Sequence, residues 1–315
     1  MQEIVRSGKT LLASGSLRVQ SFFNKTLIYL LMLPALIITF VFSYLPMPGI
    51  IMAFQDYNIF KGILGSPWAG FKHFIDIVKL PALSQAVGNT VVLSVLTLAI
   101  SFPSAIILAL LFNELKVGIF KKAVQTISYL PYFLSWISVI GIAITFLSIY
   151  GTVNDIGVAI FGEDTKRMMF LSKQGLFIPI LITLTLWKEV GWNSIIYLAA
   201  ISSLDVQLYE AAKIDGATRL QQAWHITLSG IKPTIIILLI FQMGNIFRSN
   251  FELVYGMQNP YINYDVISTI VYKRGIQQAN YSMAAAVGFF EGLISFLLVF
   301  IANKIAKKTS EVYIW

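Results

Sequence analysis

The chain has 315 residues, of which 57% are hydrophobic and 12% charged, with no cysteine and a net charge of +8. Soluble domains are about half apolar and about a quarter charged, so this composition and a mean hydropathy of +0.75 describe an integral membrane protein. Disulfides, iron–sulfur clusters and thiolate zinc sites are excluded, and the basic residues lie scattered between apolar runs rather than in the aromatic-interleaved patch that nucleic acid requires.

Residues 1–25 carry Arg6, Lys9, Arg18 and Lys25 and read as an amphipathic tail. Ser7-Gly8-Lys9-Thr10 imitates the end of a phosphate-binding loop, but the first glycine of that motif falls on Glu3 and no strand precedes it. The apolar run that follows has no small-residue cleavage site and is expected to remain as a first membrane span. Runs near the 20 or so residues needed to cross a bilayer extend over Leu27 to Tyr44, Val87 to Phe112, Ala123 to Ile149, Leu176 to Leu204, Ile231 to Phe247 and Met283 to Ala302. The expected fold is therefore all-α with six transmembrane helices: a tail over 1–25, a membrane domain over 26–303 and a second tail over 304–315.

Six spans put both termini on one side, and the Lys/Arg distribution selects it. The termini, the loop Asn113 to Lys122 and the loop containing Glu210 hold thirteen Lys/Arg against nine in the opposite loops, so the termini are expected in the cytoplasm. The first outer loop, Met47 to Ala86, is rich in aromatics, Gly and Pro and should be compact. His73 and His225 stand alone in sequence and are expected to be surface residues rather than metal ligands.

Ionisable residues at membrane depth are functional candidates by default. On the fourth span Lys188, Glu189, Trp192 and Asn193 fall on one arc of about 140° at 100° per residue. On the fifth, Gln242, Asn245, Ser249 and Glu252 fall within about 80°, with Arg248 at the margin and spaced to pair with Glu252. Two polar stripes with aromatics nearby suit a sugar, whose C–H faces stack on rings and whose hydroxyls need amides and carboxylates. Polar groups that only bond helix to helix are the competing reading, and for Glu291, alone in the sixth span, the two weigh equally.

Between these spans lies a polar stretch, Tyr209-Glu210-Ala211-Ala212-Lys213-Ile214-Asp215-Gly216-Ala217-Thr218, continuing to Ile226-Thr227-Leu228-Ser229. Small residues at Ala211 and Ala212 allow close approach of another surface, and Gly216 after Asp215 supplies the turn that ends a short helix. The spacing of Glu210, Ala211, Ala212, Gly216, Ile226 and Leu228 resembles the EAA loop of bacterial ABC import permeases, with Ser229 where that motif carries proline and Pro233 one turn later. Tyr44-Leu45-Pro46, Ala53 to Asn58 and Gln125 to Pro131 resemble the LplB-type polysaccharide branch of the maltose-type carbohydrate permeases.

The resemblance runs from about Leu30 to the C-terminus. It implies a type I ABC importer permease fold in the bacterial cell membrane, a coupling loop over about 205–230, and no catalysis by this chain. It also implies the partners: a second, homologous permease forming a heterodimer, two ATPase subunits that use ATP and Mg, and an extracellular lipoprotein-type sugar-binding protein, all amid membrane lipid and without nucleic acid. Glu210, Ala211, Ala212, Asp215, Gly216, Ile226 and Leu228 are the coupling candidates; Lys188, Glu189, Trp192, Asn193, Gln242, Asn245 and Ser249 are the substrate-pathway candidates. The alternative of another class is an ion-coupled secondary transporter relaying through Glu189, Glu291 and Lys188; it would need no EAA-like loop and would normally carry internal pseudo-repeats, which the sequence lacks.

Overall fold

Within hydrocarbon a backbone must satisfy its own hydrogen bonds, so apolar runs of this length fold as helices. The computed structural model describes residues 29–309, 313 and 314; the tail expected over 1–25 lies outside them. The principal helices are α1 (Tyr29–Phe54), α2 (Pro81–Glu114), α3 (Ile119–Tyr129), α4 (Trp136–Leu147), α5 (Gln174–Ser202), α6 (Val206–Ile214), α7 (Arg219–Leu228), α8 (Lys232–Gly244), α9 (Phe251–Met257), α10 (Ile267–Val271) and α11 (Tyr281–Thr309). Among the described residues the only extended pairing is an isolated bridge between Gln55 and Trp68. Five helices are long and apolar enough to cross a membrane singly; a sixth crossing exists if α7 and α8, bent by 63° at their junction, count as one.

Two of the expected spans are interrupted. The run Ala123 to Ile149 is divided: α3 ends at Tyr129, a 3-10 turn covers Leu130–Phe133, and α4 starts afresh with the Ser135 side chain accepting from the Ser138 amide. Pro131 removes a backbone donor from the ladder, and the chain then turns extended at Leu134 and Ser135, with ψ 142° and 151°. The membrane-length segment is then Trp136–Phe161. The run Ile231 to Phe247 yields a helix of 13 residues, α8, about 20 Å at 1.5 Å per residue and too short for a hydrocarbon core of about 30 Å.

The mast of the fold is α2. One end, Leu83 and Ala86, packs with Ala53, Ile77, Ile267 and Met283. Further along, Leu93 joins Phe177, Leu181, Leu253 and Val254, and beyond that Ala105 and Ala109 pack on Tyr197, Ile201 and Ile231. At the end remote from α6 and α7, the expected compact loop is present: Phe54 stacks on Trp68 and meets Phe71, Phe74 and Phe289. The Gln55 carbonyl there accepts from Ser282 Oγ at 2.6 Å. His73 departs from its expected surface position, being 11% exposed with Nε2 3.1 Å from Asp56.

The same end is closed by Asp265. Its Oδ1 accepts from Lys273 at 2.7 Å, Thr269 at 2.8 Å and Gln258 at 2.9 Å, while its backbone carbonyl accepts from Asn89 of α2 at 2.8 Å. Burial pushes this carboxyl up, but the three hydrogen bonds outweigh it and hold it below the usual carboxylate range.

A close backbone approach joins α3 to α5. A Cβ on Gly191 would sit 1.9 Å from the Ser128 carbonyl oxygen, so only glycine lets these helices meet. Gly191→Ala should cost about 1–3 kcal/mol of overpacking and lower the thermal unfolding midpoint in detergent. Gly141→Ala, where an added Cβ meets nothing within 4 Å, should leave it in place. Equal midpoints for the two variants would contradict this packing.

Candidate functional site

The second interruption builds the site. Gly244 comes so close to α11 that a Cβ would lie 2.6 Å from Val299 Cγ2. Asn245 then leaves the helix with φ −99° and ψ 1°, and helix resumes only at Phe251, with the Asn250 side chain accepting from the Leu253 amide at 3.0 Å. Residues 245–250 are thus irregular backbone inside an otherwise helical bundle, tolerated where such backbone lines a polar cavity.

That cavity exists, at about 380 Å³, against the middle of α2 and α5. Glu189 and Asn193 of α5 face Gln242, Asn245, Arg248 and Ser249 from α8 and the irregular stretch. On the α2 wall, Ser101 Oγ is buried without a hydrogen-bond partner among the described residues. The Asn245 amide donates to the Phe241 carbonyl at 3.2 Å, and Ser249 Oγ lies 3.0 Å from Ser268 Oγ of α10. Apolar walls come from Leu181, Ile196, Phe102 and Leu238. A mostly apolar cleft with a few convergent polar groups is the usual form of a small-molecule site.

The α5 stripe divides between two faces. Glu189 and Asn193 line the cavity; Lys188 and Trp192 do not. Lys188 is 6% exposed, donates to the Tyr132 carbonyl at 2.6 Å and lies 5.0 and 5.2 Å from the Tyr132 and Trp136 ring centres. The break at Pro131 leaves that carbonyl outside the helical ladder, and the ammonium takes its place as partner. Trp192 stacks on Tyr132 at 4.5 Å and meets Phe133 edge-on. The expected pairing of Arg248 with Glu252 is absent: the spacing assumed one continuous helix, and α9 begins only at Phe251. No ion pair of Arg248 is found among the described residues.

The polar stretch between α5 and α8 forms two helices. Asp205 caps α6 by accepting from the Gln207 amide at 2.9 Å. At the other end Gly216 takes φ +78°, and the Ala217 amide returns to the Ala212 carbonyl at 2.9 Å, a Schellman-type ending. Thr218 and Gln221 form a capping box that starts α7. The Tyr209 hydroxyl, 2.9 Å from Thr227 Oγ1, ties the two helices together.

Between them opens a cleft lined by Ala212, Asp215, Gly216, Gln221, His225 and Ile226. Glu210 and Ala211 stand exposed on α6, while Leu228 packs inward against the Ile231 cluster. Ser229 continues the helical turn at φ −66° and ψ −41°, and Pro233 falls in the first turn of α8.

A bundle of membrane helices with an interrupted helix around a mid-length cavity bearing convergent polar groups, and a helix pair projecting between two spans, defines a transport permease subunit. The chain belongs to the family of binding-protein-dependent transport system inner membrane components, whose model matches residues 82–311, and is a multi-pass membrane protein of that class. It is 44% identical to the polygalacturonan/rhamnogalacturonan transport system permease protein YteP of Bacillus subtilis (strain 168), over 90% of this chain and 88% of the relative. Identity with protein LplB of the same organism is 40%, over 90% and 89%. A crystal structure of a bacterial ABC transporter involved in the import of the acidic polysaccharide alginate contains a chain that superposes with a TM-score of 0.81 at 40% identity, covering 92% of this chain and 98% of that one. A second, of a bacterial alginate ABC transporter in complex with an alginate pentasaccharide-bound periplasmic protein, gives 0.82 at 38%, covering 94% and 99%.

The turn at Gly216 yields a direct test, because a Cβ there meets nothing within 4 Å and any cost is purely conformational. Left-handed backbone costs an ordinary residue about 1–2 kcal/mol and is tolerated by Asn. Gly216→Val should speed hydrogen exchange at the Ala217 amide, and Gly216→Asn should leave it near wild type. Equal exchange in both variants would contradict this ending.

Proposed function

We propose that this chain forms one half of the membrane pore of an ABC importer and passes an oligosaccharide, derived from a uronic-acid-rich polysaccharide, through the cavity between α2, α5 and α8. The observation that carries this reading is the facing of Glu189 and Asn193 against Gln242, Asn245 and Ser249 across a cavity of saccharide size. The relatives that handle polygalacturonan/rhamnogalacturonan and alginate, at 44% and 40% identity, support the class of cargo. A second permease completes the pore, and an external binding protein delivers the sugar.

Two ATPase subunits, with ATP and Mg, grip the α6–α7 pair. Exposed Leu208, Ile214, Leu220 and Trp224 on that pair, 54–87% accessible, support a protein partner there, since contiguous apolar surface in water marks an interface. The Lys/Arg balance supports a cytoplasmic location for it and for both termini. Closure of the ATPases moves the pair, and the cavity changes which side it opens to; the driving force is the differential affinity of the partners for two packings of the bundle. An ion relay is not favoured, because Lys188 is held by the Tyr132 carbonyl and Glu189 and Glu291 line separate cavities.

Removing a hydrogen bond to cargo costs about 1 kcal/mol, or roughly fivefold in affinity. Asn193→Ala and Gln242→Ala should each raise the concentration of oligogalacturonate giving half-maximal uptake by about that factor, with the assembled complex present in normal amount. Unchanged uptake kinetics in both variants would remove the cavity from the pathway.

A further inference from the structure

We infer that Arg248 is the residue that reads a carboxylate of the cargo. The inference rests on the saccharide reading of the cavity and assigns the part of it that selects acidic from neutral sugar. Two cations lie on the elements that form the cavity, and they are differently placed. The ammonium of Lys188 is buried on the other face of α5, committed to the Tyr132 carbonyl and two aromatic rings. Arg248 lines the cavity and makes no side-chain hydrogen bond or ion pair among the described residues. It is carried by the irregular stretch between α8 and α9, where the break redirects it from the helical register that would have matched it with Glu252.

Arg248 and Glu189 are the two charged groups of the lining, and they come from opposing elements. A carboxylate entering this space is drawn to the guanidinium and repelled by Glu189. A uronic acid is thereby oriented with its carboxylate toward the 245–250 stretch and its hydroxyls toward Glu189 and Asn193. Arginine suits this task better than lysine because its planar fork meets both oxygens of a carboxylate. Glu291 lines a separate, apolar cavity and makes no ion pair with Arg248 among the described residues.

The test uses the assembled importer with its binding protein in proteoliposomes, and two probes of equal length: an oligogalacturonate and its methyl ester, each first confirmed to bind the binding protein. Arg248→Gln should cut oligogalacturonate uptake tenfold or more and leave uptake of the methyl ester within about twofold of wild type. Arg248→Lys, which keeps the charge and loses the fork, should fall between and guards against a folding defect in the glutamine variant. An equal loss for both probes in both variants would make Arg248 a structural residue and overturn the assignment, as would oligogalacturonate uptake unaffected by either substitution. Failure of the wild-type importer to take up either probe would instead overturn the saccharide reading, and this assignment with it.

Discussion

Everything distinctive in this molecule follows from the cost of leaving backbone polar groups unpaired in hydrocarbon. A permease of unbroken helices would meet that constraint and have no polar interior. Here two spans are broken, and each break has its own solution. At Pro131 the loosened carbonyl of Tyr132 is taken by Lys188 from the neighbouring helix, so the break is sealed by protein and the charge is consumed in sealing it. At 245–250 the irregular segment turns instead to a cavity, whose lining its polar side chains share with those of α5. One break is structural and the other exposes chemistry.

The elements that line the cavity are also those that flank the α6–α7 helix pair. α5 runs from Glu189 and Asn193 directly into Asp205, the cap of α6, and α8 begins where α7 ends, across a 63° bend. The junction is tight: a Cβ on Gly230 would lie 2.6 Å from Leu204 Cδ2, and Leu228, Ile231 and Ile201 pack in one cluster. The pair is thus joined to both walls of the cavity through packed side chains, the kind of close-packed contact that can transmit strain. Arg219 adds an exposed ion pair to Glu114 at the end of α2, at 2.8 Å, a contact of small energetic weight in solvent.

Much of this was legible in the sequence. Hydropathy located the six apolar runs, and the spacing around Glu210 located the helix pair and the turn at Gly216. Periodicity brought Glu189 and Asn193 to the same region as Gln242, Asn245 and Ser249. It failed where it assumed unbroken helices. Gly244-Asn245 is a helix-stop signal and Asn250 a helix-start signal, but a stripe drawn through Gln242, Asn245, Ser249 and Glu252 takes the segment as one continuous helix, which produces the false pairing of Arg248 with Glu252. Lys188 and Trp192 share the arc of about 140° on α5 with Glu189 and Asn193 but lie outside the lining of the cavity. In the bundle that arc is wide enough to touch two neighbours, and the half nearer α4 is filled by Tyr132, Phe133 and Trp136. Helical periodicity alone does not distinguish those halves, since the division depends on which neighbours pack against each side of α5.

The central claim is that the interrupted stretch 245–250 and the Glu189–Asn193 face of α5 enclose the cargo. A cryo-electron microscopy structure of the assembled importer, trapped with an acidic oligosaccharide, tests it most directly. The account predicts saccharide density between Asn193 and Asn245, with a sugar carboxylate against Arg248. Saccharide density along the opposite face of α5, beside Trp192 and Tyr132, with the cavity empty, would contradict it.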